Sequence, residues 1–348
     1  MEILKLNDTP VRTSRNFGIN NIKLENIDIP ERLEKFQDVE IISENCIVDD
    51  NTSNQELTYG NGKILEENVS KYSNNNIKVI ANKNANIKIK YNFNDENLKL
   101  INNIDIIANN NINVIIEYRS KTNKECFHNG IIRLQAKENV NVNITIINIL
   151  NGFSNNFDAI ENTIDNKAKV NYTIIDIGAK NSISNYYSNV LGESSKNNLK
   201  TIYLAGKDQI KDINYIAELR GENSNVDIDV QGALKENSKK NFKGTIDFKK
   251  GCKKAKGSEN EFCILLSDEA RSLALPMLLC TEDDVEGNHS TASGKVDNKD
   301  LFYIMSRGIS YKEAIKLIVK AKFNQIIETI KDDELKEEII KEIDRRLD

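Results

Sequence analysis

Val142-Asn143-Ile144-Thr145-Ile146 and Val170-Asn171-Tyr172-Thr173-Ile174 are two copies of one short pattern, and the interval between such copies decides the fold. Similar runs occupy residues 112–116, 200–204 and 226–230, so that successive runs are 26 to 30 residues apart. Secondary apolar runs at residues 131–134 and 213–217 indicate at least two strands in each repeat. A stacked β-solenoid explains this period, because one coil cannot bury its apolar face without the coils above and below it.

A β-sandwich is the alternative fold, but its strands usually recur at about 8–12 residues. Around the repeats the sequence divides into three parts: a lead-in segment at 1–40, a β core at 41–300 and a helical segment at 301–348. The stretch from Pro30 to Phe36 predicts a short helix with proline in its first turn. Asparagines between the strands favour corners, since asparagine tolerates the left-handed backbone conformation.

The C-terminal segment changes to a helical period. Ser310 and Glu313 form a predicted capping box, and apolar residues then recur every three or four positions as far as Ile330. A second helix is predicted to begin near Asp332 and Asp333, whose charges suit a helix N-terminus.

Composition limits the possible partners and compartments. The 348 residues carry a net charge of -5 with both signs mixed along the chain, so nucleic acid is not expected as a partner. No apolar run approaches the roughly 20 residues that span a bilayer, and the N-terminus does not resemble a signal peptide. Five widely spaced cysteines without a CxxC pair indicate reduced thiols rather than a disulfide framework. A cytoplasmic protein without a membrane partner is expected.

Several short motifs occur in a fixed order in the last third of the chain. They are the segments 244–248 and 263–268, Pro276, the acidic segment 283–290 with His289, and the segment 301–308. From about Gly232 onward this order resembles the SufB/SufD family of iron–sulfur cluster assembly proteins. The segment from Pro10 to Gly18 looks like the Pro-x-Arg-Thr opening of the same family.

The resemblance implies a right-handed parallel β-helix that acts as a non-enzymatic scaffold. It implies pairing with a SufB/SufD paralogue or with a second copy, and a transient iron–sulfur cluster at the interface between them. It also implies that a SufC-type ATPase docks on the C-terminal region around Phe302, Tyr303, Arg307 and Gly308. The sequence has no Walker motif, so the nucleotide is expected on that ATPase.

His289 and Cys263 are the candidate metal or cluster ligands. Imidazole and thiolate both ligate iron, although a lone histidine is more often a structural residue. The resemblance implies the metal role, because the family has a histidine at the matching place. Cys263 precedes His289 by 26 residues, about one coil, which predicts that the two stack near each other.

The acidic residues Asp283, Asp284 and Glu286 are expected to form a loop that orients His289 or faces a partner. Two departures from the family favour a SufD-like helper role. Gly287 stands where SufD-type members often have cysteine, and Ser290 stands where SufB-type members have glutamate. The essential cysteine of SufB-type members aligns nearer Glu261 than Cys263, a two-residue shift that keeps the same strand face.

Other candidate sites and functions remain as alternatives. Cys126 and His128 form a Cys-x-His pair, which is more often incidental in a strand. Cys252 lies among five lysines, which would favour a reactive thiolate, but a solvated basic turn is the simpler interpretation. Parallel β-helices also include polysaccharide lyases and hydrolases, but no cluster of carboxylates or arginines that would serve such an enzyme is evident here. A β-helical adhesin is a further alternative, which the missing signal peptide disfavours.

Overall fold

The computed structural model describes residues 3–13 and 15–348. The segment from Pro10 to Gly18 is therefore described except at Ser14. The described chain contains twenty strands, four α-helices and the short 3-10 helix Arg15–Phe17. The strands are β1 Ile3–Leu6, β2 Ile22–Glu25, β3 Val39–Glu44, β4 Ile47–Asp49, β5 Asn75–Ala81, β6 Ala85–Phe93, β7 Lys99–Ala108, β8 Ile112–Ser120, β9 Phe127–Ala136, β10 Asn141–Ile149, β11 Asn155–Ile164, β12 Lys169–Asp176, β13 Asn181–Val190, β14 Lys196–Ala205, β15 Ile210–Leu219, β16 Asn225–Leu234, β17 Lys239–Phe248, β18 Ala255–Leu265, β19 Arg271–Cys280 and β20 Val285–Gly294. The α-helices are α1 Lys63–Tyr72, α2 Asn298–Met305, α3 Tyr311–Ile327 and α4 Asp333–Leu347.

The main body is a parallel β-solenoid of eight coils, and the predicted β-helix is confirmed. The even-numbered strands from β6 to β20 form one sheet, here called the even sheet, and the odd-numbered strands from β5 to β19 form the odd sheet. Strands two apart in sequence pair in parallel and in register, which excludes the sandwich. At the N-terminal end β3 and β4 close the two sheets by antiparallel pairing with β6 and β5.

Alternation along each strand builds the core between the two sheets. In β10 the side chains of Val142, Ile144 and Ile146 are buried, and they lie in register with buried residues of β8 and β12. Tyrosines in neighbouring coils stack in the same space, as Tyr91 and Tyr118 do at 5.3 Å between ring centroids. We call this enclosed space the lumen. Its apolar contacts repeat once per coil, which accounts for the period in the sequence.

The asparagines serve two purposes, of which the sequence predicted one. Asn139 and Asn223 adopt positive φ in turns between strands, as expected, but lysine and serine residues also occupy such turns. The other purpose is a ladder on the outer face of the even sheet, where each side-chain amide donates a hydrogen bond to the asparagine one coil below. The ladder consists of Asn86, Asn113, Asn143, Asn171 and Asn198.

The lead-in segment has no regular structure where a helix was predicted. Residues 27–38 contain no helix, and the prediction for Pro30 to Phe36 is wrong. Phe36 inserts its ring against Tyr91 and Phe93 at the first coil, and this burial outweighs the weak helix propensity of so short a stretch. The β1–β2 hairpin packs further along the solenoid, where Asn7 bonds to the buried Asp212.

A segment without regular structure crosses the outer face of the odd sheet before α1. Residues 50–62 run along the solenoid axis, and their backbone bonds to Asp105, Arg133 and Glu161 in three successive coils. Helix α1 then packs beside β7 and β9. This helix was not predicted from the sequence, because its ten residues carry only a short apolar stripe.

The C-terminal segment ends in α3 and α4, as predicted. Ser310 and Glu313 form the capping box of α3, and Asp332 caps α4. Both helices pack on the outer face of the even sheet through one apolar cluster that includes Phe323 and Ile339. The segment 301–308 lies mostly within the further helix α2. Among the described residues no helix is both long and apolar enough to cross a membrane.

Close stacking of turns predicts a test of the solenoid. A Cβ at Gly221 would overlap with the backbone of Gly192 one coil below. We expect Gly221→Ala to lower the free energy of unfolding by about 1–3 kcal/mol, because backbone atoms cannot move aside as a side chain can. Gly152→Ala is the matched control, since its Cβ would meet only ordinary contact with Gln209. Equal urea midpoints for the two variants would contradict the close stacking of backbone in successive turns.

Candidate functional site

His289 lies on the last strand of the solenoid, at the open end. Strand β20 is the terminal strand of the even sheet, so one of its edges has no strand neighbour among the described residues. The side chain of His289 is exposed. An acidic loop was predicted here from the sequence, whereas the structure places His289 in mid-strand.

The register of the last two coils decides what lies beneath His289. Its in-register partner on β18 is Glu259, whereas Cys263 pairs with Ser293. Cys263 is therefore four residues away from the position below His289, about 13 Å along the strand. The two candidate ligands lie on adjacent strands, as predicted, but the structure does not bring them together.

Cys263 itself is fully buried in the lumen. Burial raises the pKa of its thiol, and the nearby Lys240 ammonium only partly opposes that effect. The side chain therefore favours the neutral thiol, which is a poor nucleophile and a poor metal ligand.

The three acidic residues before His289 do not form a bonded group around it. Glu286 is the second residue of β20 and pairs with Lys256 at 2.8 Å. The backbone carbonyl of Asp284 accepts a hydrogen bond from Lys254. Neither Glu286 nor the exposed Asp283 makes a hydrogen bond to His289 within the described chain.

Ionisable side chains fill the lumen beneath the open end. Lys240 and Glu261 are both fully buried and form an ion pair at 2.9 Å. The Tyr203 hydroxyl donates a hydrogen bond to the same carboxylate at 2.8 Å. Together with Glu259 and Cys263 these residues form what we call the lumen cluster.

Glu259 is the member of the lumen cluster without a partner. Its side chain is fully buried, and neither carboxylate oxygen has a hydrogen-bond partner. Burial, together with the negative charge of Glu261, raises its pKa to about 8. Gly244 on the facing sheet makes room for this group, because a Cβ there would overlap with the carboxylate.

A second exposed feature follows the last strand. On α2 the rings of Phe302 and Tyr303 are 75% and 61% exposed, and Met305 is also exposed. The Arg307 guanidinium stacks over the Tyr303 ring at 5.1 Å and donates a hydrogen bond to its hydroxyl at 3.0 Å. Gly308 has φ of 86°, a left-handed conformation that favours glycine and turns the chain toward α3. This exposed group of large side chains is typical of an interaction surface.

The two remaining cysteine motifs have structural surroundings. His128 is buried, and its two ring nitrogens lie 2.9 and 2.6 Å from the side-chain amide oxygens of Asn102 and Asn156. Cys252 is buried rather than solvated, and burial raises its pKa to about 11. The expectation of a solvated turn at Cys252 is wrong, because its side chain points into the core cluster.

Fold and site together define a β-solenoid protein with ionisable residues buried near its open end and an exposed helical surface directly after its last strand. The chain belongs to the SufBD core family: residues 91–322 match the family described as "SUF system FeS cluster assembly, SufBD core domain". The resemblance noted in the sequence is thereby confirmed.

Individual relatives agree with the family match. The chain is 28% identical over 165 residues to the iron–sulfur cluster assembly protein SufD of Bacillus subtilis, and this match covers 47% of the chain and 38% of that protein. It is 28% identical over 200 residues to a SufBD family protein of Pyrococcus horikoshii, covering 57% of the chain and 44% of the relative. A SufBD family protein of Staphylococcus haemolyticus is 30% identical over 130 residues, and this match covers 37% of the chain and 28% of the relative. The matched stretches thus span less than half the length of these relatives.

Most of the lumen cluster was not predicted from the sequence. Glu259 and Glu261 precede Cys263 by four and two positions, so all three point to the same strand face. Two carboxylates on the face of a buried cysteine were therefore detectable as an unusual pattern. Lys240 and Tyr203 lie on other strands, and only the register of the coils brings them close.

The ion pair in the lumen cluster gives a test of its burial. Lys240→Met leaves the Glu261 carboxylate unpaired in the lumen, and we expect a loss of about 3–5 kcal/mol in the free energy of unfolding. The double variant Lys240→Met/Glu261→Gln should recover part of that loss. The control Lys256→Met removes an exposed pair and should cost less than about 1 kcal/mol. Similar urea denaturation curves for Lys240→Met and Lys256→Met would contradict the buried arrangement.

Proposed function

We propose that this chain is a scaffold subunit of the SUF iron–sulfur cluster assembly complex. It pairs along the open end of its solenoid with a SufB/SufD paralogue or with a second copy of itself, and a SufC-type ATPase docks on its C-terminal helices. The observation that carries the proposal is the adjacency of an exposed final strand, bearing His289, and the exposed aromatic surface of α2.

The two exposed surfaces suit two different partners. The last strand offers unpaired backbone groups, which another chain can satisfy by adding a strand. Helix α2 offers Phe302 and Tyr303, the residue types that dominate the energetics of protein interfaces. A partner on each surface would bury what the isolated chain leaves exposed.

The mechanism follows from this arrangement. Closure of the ATPase pair on ATP would move the helices that it grips, and with them the attached solenoids. Such a shift would open or close the interface at β20 and expose ligands for the iron and sulfur that arrive as substrates. The chain itself performs no chemical step in this scheme, and the nucleotide is held by the ATPase.

The cysteines bear on the cellular compartment of the protein. All five cysteines lie in the described part of the chain, and each is a free thiol. Free thiols persist in a reducing compartment. We therefore propose a cytoplasmic scaffold, in which the cluster is transient cargo at the interface.

Docking on α2 can be tested by co-expression with a SufC-type ATPase and a SufB-type partner. We expect Phe302→Asp and Tyr303→Asp each to reduce ATPase recovery strongly, because a carboxylate would be desolvated at the centre of the contact. Phe153→Asp is the control, since Phe153 is similarly exposed at 60% but lies in a turn far from α2 along the chain. Full ATPase recovery with both α2 variants, or no complex even with the unmodified chain, would refute the proposal.

The role of His289 needs a separate measurement. After anaerobic purification of the complex we expect His289→Ala to contain less iron and sulfide per complex, because imidazole is a competent iron ligand. Asn288→Ala, one residue earlier on the opposite strand face, should retain the unmodified content. Iron and sulfide unchanged in His289→Ala would remove this residue from the ligand set.

A further inference from the structure

A cavity of about 440 Å³ lies on the outer face of the odd sheet, between helix α1 and the segment 50–62, here called the strap. The sheet contributes Asn103, Ile131 and Arg133 from β7 and β9 to its lining, and the strap and α1 supply the rest. This volume falls within the range of about 300–1,000 Å³ that is typical of small-molecule pockets. Strands β7 and β9 lie toward the end of the solenoid opposite to β20, so the cavity is separate from the proposed pairing surface.

Arg133 places a positive charge in the lining of this cavity. Its guanidinium donates hydrogen bonds to the side-chain amide oxygen of Asn103 at 2.6 Å and to the backbone carbonyl of Gln55 at 2.7 Å. Among the described residues its buried Nε–H has no hydrogen-bond partner, and the Asp105 carboxylate is 3.6 Å from a terminal nitrogen. A guanidinium has five N–H donors, so this one is held in position with donors to spare.

Glu66 brings a negative charge to the same cavity from α1. Gly60 of the strap leaves room for it, because a Cβ there would overlap with the Glu66 carboxylate. Within the described chain this carboxylate forms no ion pair, either with Arg133 or with another cation. Burial raises the pKa of Glu66, and the charge of Arg133 only partly opposes that effect. A cationic group bound in the cavity would therefore stabilise the ionised carboxylate.

Most other charged groups around the cavity have partners of their own. Lys63 and Glu67 pair with each other at 3.9 Å on α1. The carboxylates of Asp105 and Glu161 accept hydrogen bonds from backbone N–H groups of the strap. Glu56 is exposed to solvent. The cavity thus holds one cation and one carboxylate that share the same space without neutralising each other.

These two charges limit the kind of ligand that fits. An anion would meet the like charge of Glu66, and a cation would meet the like charge of Arg133. A zwitterion satisfies both groups, and an α-amino acid carries a carboxylate, an ammonium and a side chain on one carbon atom. The apolar part of the lining, from Leu57, Val69 and Ile131, suits the side chain.

We propose that this cavity binds a small zwitterion of the α-amino-acid class, with its carboxylate on Arg133 and its ammonium on Glu66. Contacts between arginine and a carboxylate are strong and can be bidentate, which fixes the orientation of the ligand. No bond is made or broken in this site. The ligand would connect the sheet to α1 beneath the strap, so binding should also restrict the motion of the strap.

The test is calorimetric titration of the full chain with glycine, L-alanine, L-leucine and L-methionine. We expect at least one of them to bind with a Kd of about 1 mM or tighter. Glu66→Gln keeps the size of the side chain, and Arg133→Lys keeps the charge but loses the planar fork. Each should weaken binding of that amino acid by at least about tenfold, with folding checked by circular dichroism. Glu222→Gln, in an exposed turn, is the control and should bind as the unmodified chain does.

Analogues that lack one charge separate the two contacts. For L-leucine these are 4-methylpentanoate, without the ammonium, and 3-methylbutylamine, without the carboxylate, and each should bind at least about tenfold more weakly. Hydrogen exchange of the strap amides should slow when the amino acid binds. Absence of binding by all four amino acids, unchanged affinity in Glu66→Gln, or equal binding of either analogue would overturn the inference. Recovery of the ATPase and of the paired chain is a separate measurement, so the scaffold function stands or falls independently.

Discussion

In-register stacking of parallel coils is the constraint on which the rest of this structure depends. Each residue lies directly above a residue of the preceding coil that points to the same face. On the outer face this produces the hydrogen-bonded asparagine ladder that begins at Asn86. Inside the solenoid, the same stacking places similar residues of successive coils above one another, so an ionisable residue in the lumen must find its partner on the facing sheet. Lys240 and Glu261 do so, and Glu259, opposite Gly244, does not.

The fold was predictable because this constraint leaves a period in the sequence. Apolar runs recur once per coil, and the two sheets follow from two runs in each repeat. The segment from Pro30 to Phe36 was not predictable in this way, since the ring of Phe36 is buried by a contact with a strand more than fifty residues away. Helix α1 was missed for a similar reason, because it is held against β7 and β9 rather than by its own periodicity.

The candidate site shows how precisely the sequence period can locate individual residues in the coils. Cys263 and His289 differ by 26 residues, an interval found elsewhere between successive runs, yet the local step between β18 and β20 is 30. The step varies because turns differ in length while strands stay in register. The sequence period therefore places two residues in neighbouring coils, but an error of four residues along the strand moves one candidate ligand out of reach of the other. Only the pairing of the strands identifies Glu259 as the residue below the histidine.

The position of the charged groups along the solenoid is itself informative. Middle coils fill the lumen with tyrosines, such as Tyr186 and Tyr215, whose rings contact edge to face. Buried ion pairs between the facing sheets occur both in the middle coils, where Lys211 pairs with Asp176, and in the last coils, where Lys240 pairs with Glu261, although a buried ion pair contributes little stability compared with apolar packing. Glu259 differs from these residues, because its buried carboxylate has no hydrogen-bond partner. A terminal strand with unpaired backbone groups invites another chain, so the exposed edge of β20 suits the pairing that we propose for this end of the solenoid.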